Sequence, residues 1–446
     1  MAQDRRPNDH VTISTAGQLR GTIAVPGDKS VTHRALMFNA LATGNARITG
    51  FLDAEDTRAT LAAMRALGVD IDEPEHGTLI VNGRGRATLT EPDDVIDCGN
   101  SGTTMRLLAG LLAGLPMQAV LTGDESLRRR PMGRIVRPLT ALGADVTARA
   151  DGTLPPIVVH GGPIAGGLRV ETGVASGQVK SAVLLAALAA DGETLVIEPD
   201  PTRDHTERML AAMGVKVQSE GPAITITPPD GDLRAVDVSV PGDISGAAAF
   251  IVAATIHPDA KLTLTGVGIN PTRSGLLDVL QEMGADIELL EERLTGGEPV
   301  ADIVVRSSRL HGVEVGGALI PRMIDELPLI ALAASVAEGE TVVRDAEELR
   351  VKESDRVATT GAVLRAFGVE IEEQTDGFVV RGAGSPQLRA ARVDSAGDHR
   401  LAMLAGVAAM LAAGESDIDG ANAVNVSYPE FWEELSRLGL PPTDGV

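Results

Sequence analysis

The 446-residue sequence holds a single cysteine, Cys98, which excludes an internal disulfide and a metal site built from several thiolates and fits a reducing cytoplasm. Aromatic residues make up only 2% of a chain that is 43% hydrophobic, so the core must be built from Ala, Leu, Val, Ile and Met. No apolar run reaches the roughly 18 residues of a membrane span, and no basic-then-apolar leader opens the chain. Positive charge is also short. With 39 Lys and Arg against 62 Asp and Glu, the net charge of −23 argues against nucleic acid and anionic membrane as partners. Neither GxxxxGK[ST] nor a strand-linked GxGxxG occurs, so no nucleotide or dinucleotide cofactor is expected. His205 lacks companions at metal-ligand spacing, and no metal site is expected. Lysine is scarce within the scarce charge: only Lys29, Lys180, Lys216, Lys261 and Lys352 occur.

What the sequence does contain is a repeat. Two large apolar residues three apart, followed by glycine, recur six times: Met64…Leu67-Gly68, Leu139…Leu142-Gly143, Leu210…Met213-Gly214, Leu280…Met283-Gly284, Leu364…Phe367-Gly368 and Leu435…Leu438-Gly439. Each phrase reads as a helix end with a glycine cap, and the first five are followed by an alternating strand start such as Val69-Asp70-Ile71. A small or polar turn and an Ala/Leu-rich helix open each unit, giving strand, helix, strand, helix, strand, strand.

Val240-Pro241-Gly242-Asp243 nearly repeats Val25-Pro26-Gly27-Asp28, which divides six units into three plus three. The sixth unit is one strand short, because Leu440-Pro441-Pro442 cannot continue it, and His10-Val11-Thr12-Ile13 is spare. The expected organisation is therefore two similar α/β domains. One comprises residues 1–22 and 241–446, the other 23–240, with Gly/Pro hinges where the chain crosses. The run Gly21 to Val25 is expected to be the strand of unit one, Met1 to Asn8 disordered, and Pro441 to Val446 a frayed tail.

The unit openings carry the charge. Pro26-Gly27-Asp28-Lys29-Ser30…Arg34 turns into a helix whose free N–H groups, lysine, hydroxyl and arginine suit an oxyanion. Further openings give Asn100-Ser101-Gly102-Thr103, Arg106, Arg128-Arg129-Arg130-Pro131, Ser176, Gly177, Gln178, Lys180, Arg203, Asp325, Glu326, the loop Arg350 to Arg356, and Asp398-His399-Arg400. In unit four Ile244 stands where unit one has Lys29, and that opening reads as structural. Arg128–Arg130 taken alone is a solvated face, and Cys98 a buried small residue. Arginines gathered in an acidic chain suit a small substrate carrying phosphate and carboxylate. A polyanion-binding repeat protein would explain the arginines but not Asp325 and Glu353 placed among them.

With these motifs assembled, nearly the whole chain resembles the 3-phosphoshikimate 1-carboxyvinyltransferase (EPSP synthase) family, most specifically in Pro26–Arg34, Gly99–Arg106, Arg130-Pro131, Leu349–Arg356 and Asp398–Arg400. The resemblance implies two domains of three βαβαββ units each, an inside-out α/β barrel with the active site in the cleft between them. It implies transfer of the enolpyruvyl group from phosphoenolpyruvate to the 5-hydroxyl of shikimate 3-phosphate, without metal or cofactor. By motif match, Lys29, Arg130 and Gln178, with the Gly102 backbone, would take the phosphoenolpyruvate phosphate, and Arg356 and Arg400 its carboxylate. Ser30 and Arg34 would hold the shikimate carboxylate. Ser176, Gly177, Gln178, Arg203 and Lys352 would surround the remaining phosphate and hydroxyls, with Lys29 also counted at this substrate. Asp325 would act on the 5-hydroxyl and Glu353 at the enol carbon, with Lys29 as a third catalytic candidate.

Departures are visible. Asp28 replaces a common Ser, and Val426-Ser427-Tyr428-Pro429 lacks the lysine many members carry just before it. Arg203–Glu207 and Asn270-Pro271-Thr272-Arg273 resemble the less glyphosate-sensitive subgroup, whereas Gly102 is unsubstituted and Gly177 stands for an expected Ala. The UDP-N-acetylglucosamine enolpyruvyl transferases usually carry a cysteine where this chain has Asp124 to Arg128. A cytoplasmic monomer is expected.

Overall fold

The computed structural model describes residues 9–439. The disordered start and frayed tail expected at residues 1–8 and 441–446 lie outside the described residues. Two compact units emerge. One comprises the chain up to Pro26, Gly242–Arg293 and the chain from Val300 onward; the other comprises Gly27–Pro241 and Leu294–Pro299. The short segment Leu294–Pro299, the tip of a β-hairpin, therefore groups with the second of these, which the repeat pattern did not suggest.

Each unit holds three copies of the βαβαββ repeat. In the simplest copy, strand Ile96–Asp97 leads into helix Gly102–Ala113, strand Gln118–Thr122, helix Gly133–Ala141 and the strands Asp145–Ala148 and Leu154–His160. The first two strands pair parallel, and the last strand lies antiparallel between the second and third. The copies at residues 169–227 and 314–383 repeat this order. The amphipathic second helices end alike. The amide of the glycine bonds the carbonyl three residues back, and the next amide reaches back five: Gly68 to Arg65 and Val69 to Met64, 2.9 and 3.1 Å. The same pair recurs at Gly143, Gly214, Gly284 and Gly368, all with φ between 83° and 102°. That left-handed conformation is why glycine ends each phrase.

The two crossings differ from expectation in one respect. The strand before the first helix spans Leu19–Ile23, but it does not pair with unit one. It pairs parallel with Ala260–Gly268 in unit four. Unit one instead takes Leu233–Arg234 and Val238–Ser239, which precede the helix of unit four and pair with Ala42–Thr49. The crossing thus follows each strand, at Pro26-Gly27 and Pro241-Gly242. The passing chains are tied by Asp28 N–H to Pro241 O (2.7 Å) and by Asp243 N–H to Pro26 O (2.8 Å). Alternation in sequence fixes which face a strand buries but not which sheet it joins. In the sixth copy His10–Ile13 lies antiparallel to Ser416–Asp419 in the place of the last strand, giving a sheet of three strands among the described residues.

The opening helices are buried almost all round. All thirteen residues of Ile244–Ile256 and all twelve of Gly102–Ala113 are inside, as expected for sequences apolar on every face. Four of the eight aromatics, Phe250, Tyr428, Phe431 and Trp432, cluster in one unit, mostly edge-to-face; Phe38, Phe51, Phe367 and Phe378 are buried singly, and aliphatic side chains dominate both cores. Alanine and glycine let the helices approach closely: a Cβ on Gly110 would lie 2.1 Å from the carbonyl oxygen of Ala182 on the neighbouring opening helix. Gly110→Ala must separate two backbones. It is expected to lower stability by about 1–3 kcal/mol, read as a fall in melting temperature; an unchanged midpoint would mean the helices can part freely.

Candidate active site

In the unit containing Gly27–Pro241, the first turns of three opening helices meet. Asp28, nearly fully buried, caps helix Lys29–Leu41 by accepting from Val31 N–H at 2.8 Å, and Ser101 caps Gly102–Ala113 from Thr104 N–H at 3.1 Å. Lys29 Nζ then reaches Asp56 Oδ2 at 3.0 Å. Arg130 donates to Asn100 Oδ1 at 2.6 Å. Arg106 donates to Gln178 Oε1, whose amide nitrogen donates to Thr103 at 2.9 Å. An added Cβ on Gly102 would stand 3.1 Å from Arg106 Nη1 and 3.4 Å from Arg130 Nη1. Gly102, Arg106, Arg130 and Gln178 are therefore one cluster at one helix start. Gly177 lies against Thr202 and Arg203, with Arg203 half-buried and Ser176 just before it.

Arg34, expected at the shikimate carboxylate, and Lys180, one of the charges of the unit openings, are both buried among protein partners. Arg34 is buried and donates to Thr206 Oγ1 (2.7 Å), Ser181 Oγ (2.7 Å) and the carbonyl of Ser30 (2.9 Å). Burial pushes its pKa down to about 10, against the pull of Glu207. Lys180 is buried too, on Glu198 at 2.9 Å and Glu207 at 2.7 Å. Burial raises the Glu207 pKa, and Lys180 only partly offsets it. His205 faces Glu298 Oε1 at 2.8 Å, a buried pair in the place considered for a metal. Of the triple arginine, Arg128 and Arg129 are exposed, and Arg130 alone is buried. Cys98 is fully buried, and burial, then Asp97, pushes its thiol pKa up, away from nucleophilic use.

Beneath Lys29 runs a hydroxyl chain. His33 Nδ1 meets Thr60 Oγ1, Thr60 meets Thr104, and Thr104 donates to Ser101 Oγ, each at 2.7 Å. His33 Nε2 has no hydrogen-bond partner among the described residues. Burial first, then Lys29 and Arg34, lowers the His33 pKa well below 6.5. The unfolded chain therefore binds a proton that the folded chain refuses. Stability should be full above pH 6.5 and fall as pH drops below it, by about 1.4 kcal/mol per pH unit until the folded pKa is reached. The slope difference between wild type and His33→Asn in acid melting curves measures this; equal slopes would remove His33 from the account.

The other unit gathers the acids. Arg356, the first residue of helix Arg356–Ala366, is buried among three carboxylates: Asp325 at 3.0 Å, Glu353 at 2.7 Å and Asp398 at 2.8 Å. Burial would lower its pKa, but Asp398, Glu353 and Asp325 outweigh it and hold the guanidinium above its ordinary value. Lys352 joins Asp325 at 3.4 Å. Asp398 also caps helix His399–Leu411 by accepting from Arg400 N–H, and the Arg400 side chain donates to the carbonyl of Ser245 at 2.9 Å. Asp325, Lys352, Glu353, Arg356 and Arg400 thus lie in one unit, and the remaining candidates lie in the other. Asp56 and Ser245 emerge as partners that no motif singled out, and Asp398, part of a motif but given no role, emerges as the carboxylate that holds Arg356.

A family model for EPSP synthase (3-phosphoshikimate 1-carboxyvinyltransferase) matches residues 13–435. The chain belongs to the EPSP synthase family. The 3-phosphoshikimate 1-carboxyvinyltransferase of Roseiflexus sp. (strain RS-1) is 54% identical over 430 residues, 96% of this chain and 98% of its own. That of Synechococcus sp. (strain RCC307) is 52% identical over 435 residues, 96% and 99% of the two chains. Among solved structures, an EPSP synthase from Acinetobacter baumannii superposes with a TM-score of 0.86 at 43% identity, over 97% of this chain and 98% of that one. The enolpyruvyl transferase NikO from Streptomyces tendae shares the fold, with a TM-score of 0.74 at 21% identity over 96% and 97% of the two chains. This EPSP synthase family chain is accordingly a transferase with the two-domain βαβαββ architecture, and the comparisons do not favour either a UDP-N-acetylglucosamine enzyme or a polyanion-binding protein. Among the described residues no helix is long and apolar enough to cross a membrane.

Proposed function

We propose that the two clusters act on one pair of substrates, moving the 1-carboxyvinyl group of phosphoenolpyruvate to the 5-hydroxyl of shikimate 3-phosphate. The observation that carries this reading is the pair of carboxylates, Asp325 and Glu353, set on one buried guanidinium in a chain of this family. The 5-hydroxyl oxygen attacks C2 of phosphoenolpyruvate and its proton passes to Asp325, while Glu353 gives a proton to C3. The tetrahedral adduct then loses phosphate, and the proton returns from C3 to Glu353. Lys29, Arg130, Gln178 and the Gly102 amide take the phosphate being released. Arg356 and Arg400 take the carboxylate, with Arg356 also setting the two acids apart. Ser30, Arg34, Ser176, Gly177, Gln178, Arg203 and Lys352 serve the shikimate substrate, Arg34 chiefly by fixing Ser30 through its carbonyl. Preorganised cations are needed because both substrates bring negative charge to one place.

The enzyme works in the cytoplasm as a monomer on this reading. Partial glyphosate insensitivity belongs to it as well. The inhibition constant against phosphoenolpyruvate should then not lie far below the KM for that substrate, and much tighter inhibition refutes this part. The reading as a whole is tested by phosphate release from phosphoenolpyruvate with each acceptor in turn. Release should require shikimate 3-phosphate and be absent with UDP-N-acetylglucosamine; the reverse pattern would overturn it.

A further inference from the structure

The opening of unit four carries no lysine, yet it keeps one polar residue in register. Val25-Pro26-Gly27-Asp28-Lys29-Ser30 aligns with Val240-Pro241-Gly242-Asp243-Ile244-Ser245, so Ser245 is the counterpart of Ser30. Ser245 is buried, and each of its polar groups goes to a different segment. Its N–H donates to Asp243 Oδ1 at 2.8 Å, and its carbonyl accepts from Arg400 Nη1 at 2.9 Å. Its hydroxyl accepts from Arg273 Nη2 at 2.6 Å and donates to Glu326 Oε1. One small residue therefore joins the starts of three opening helices, Ile244–Ile256, Leu327–Val336 and His399–Leu411: its hydroxyl reaches the second and its carbonyl the third.

The partners explain why that matters. Arg400 makes no ion pair among the described residues, and its Nε is buried without a hydrogen-bond partner. The Ser245 carbonyl is what holds its guanidinium. Glu326 is fully buried, adjoins Asp325, and has one oxygen on Ser245 and the other without a hydrogen-bond partner among the described residues. Arg273 ends the segment Asn270-Pro271-Thr272-Arg273. Asn270 ties that segment by accepting from the Thr272 amide and hydroxyl at 2.9 and 2.8 Å, while its carbonyl accepts from Arg273 N–H at 2.8 Å. Arg273 is buried and meets Asp243 at 3.5 Å as well as Ser245. This segment is thus built to deliver a charge to Ser245 and has no exposed guanidinium to offer a ligand.

We infer that Ser245, clamped by Arg273 and Glu326, is a positioning residue that aims Arg400 and fixes the helix start next to Asp325. The inference rests on the proposed reaction, in which Arg400 meets the phosphoenolpyruvate carboxylate. Ser245→Ala removes both hydroxyl contacts and leaves the carbonyl. It should raise KM for phosphoenolpyruvate about tenfold and lower kcat by a similar factor, the scale of a small misplacement of reacting groups. The dissociation constant of shikimate 3-phosphate, read by calorimetry, should move less than twofold.

Two further variants separate positioning from general loss of structure. Glu326→Gln keeps an acceptor for the hydroxyl and should stay near wild type, whereas Glu326→Ala should reproduce Ser245→Ala. Equal shifts in both substrates' constants, no shift in either, or Glu326→Gln as impaired as Glu326→Ala would overturn the inference. A wild type that neither binds nor turns over phosphoenolpyruvate would instead sink the parent reading, so the two failures are distinguishable.

Discussion

Replacing Glu353 by glutamine should leave shikimate 3-phosphate binding in place while turnover falls about 10²–10⁴-fold, the usual worth of a positioned acid or base. Glutamine keeps the volume and an oxygen that can still accept from Arg356 at the site of the present 2.7 Å contact, but it has no proton to give. Deuterium exchange from heavy water into the C3 position of phosphoenolpyruvate should stop as well, because exchange needs reversible protonation at that carbon. Asp325→Asn should lose a comparable part of the rate with binding kept, since it meets the same guanidinium from its other end at 3.0 Å and is the proposed acceptor of the hydroxyl proton. Calorimetry and NMR of recovered phosphoenolpyruvate read these outcomes. Wild-type exchange in Glu353→Gln would move carbon protonation to another group, and Lys29 is then the next candidate.

Lys29→Met has the second large effect. Lys29 begins the first opening helix and is held at 3.0 Å from Asp56, whose other oxygen is buried without a hydrogen-bond partner among the described residues. Removing the ammonium takes away the charge-assisted contact to phosphate proposed for it and strands a buried carboxylate. The expected cost in transition-state stabilisation is about 2–5 kcal/mol, visible as a fall in kcat/KM for phosphoenolpyruvate in a protein that still melts cooperatively. Wild-type kinetics in the folded variant would place Lys29 outside the reaction.

Much of this was legible because the repeat writes its own punctuation. A glycine that must adopt positive φ cannot drift, so Gly68, Gly143, Gly214, Gly284 and Gly368 marked five helix ends and, with Gly439, six units. The exchange of Leu19–Ile23 for Leu233–Arg234 and Val238–Ser239 was not legible, since both stretches read as strands and pairing is a long-range property. The same limit applied to the site. The polar loops stood out by residue type, but Arg34 could not be seen to turn inward, because its partners Thr206 and Ser181 lie 172 and 147 positions away. Ser245 was hidden for a different reason. The residues around it are apolar, so the opening looked inert, although its register with Ser30 was present in the sequence.

The central claim is that this chain joins phosphoenolpyruvate to shikimate 3-phosphate through an enol ether. The most direct measurement is carbon-13 NMR of phosphoenolpyruvate labelled at C2 and C3, incubated with the protein and shikimate 3-phosphate. The account predicts that both labels move to a vinyl ether on the 5-oxygen as free phosphate appears in equal amount. Label recovered as pyruvate, or left in phosphoenolpyruvate with both substrates present, would contradict it.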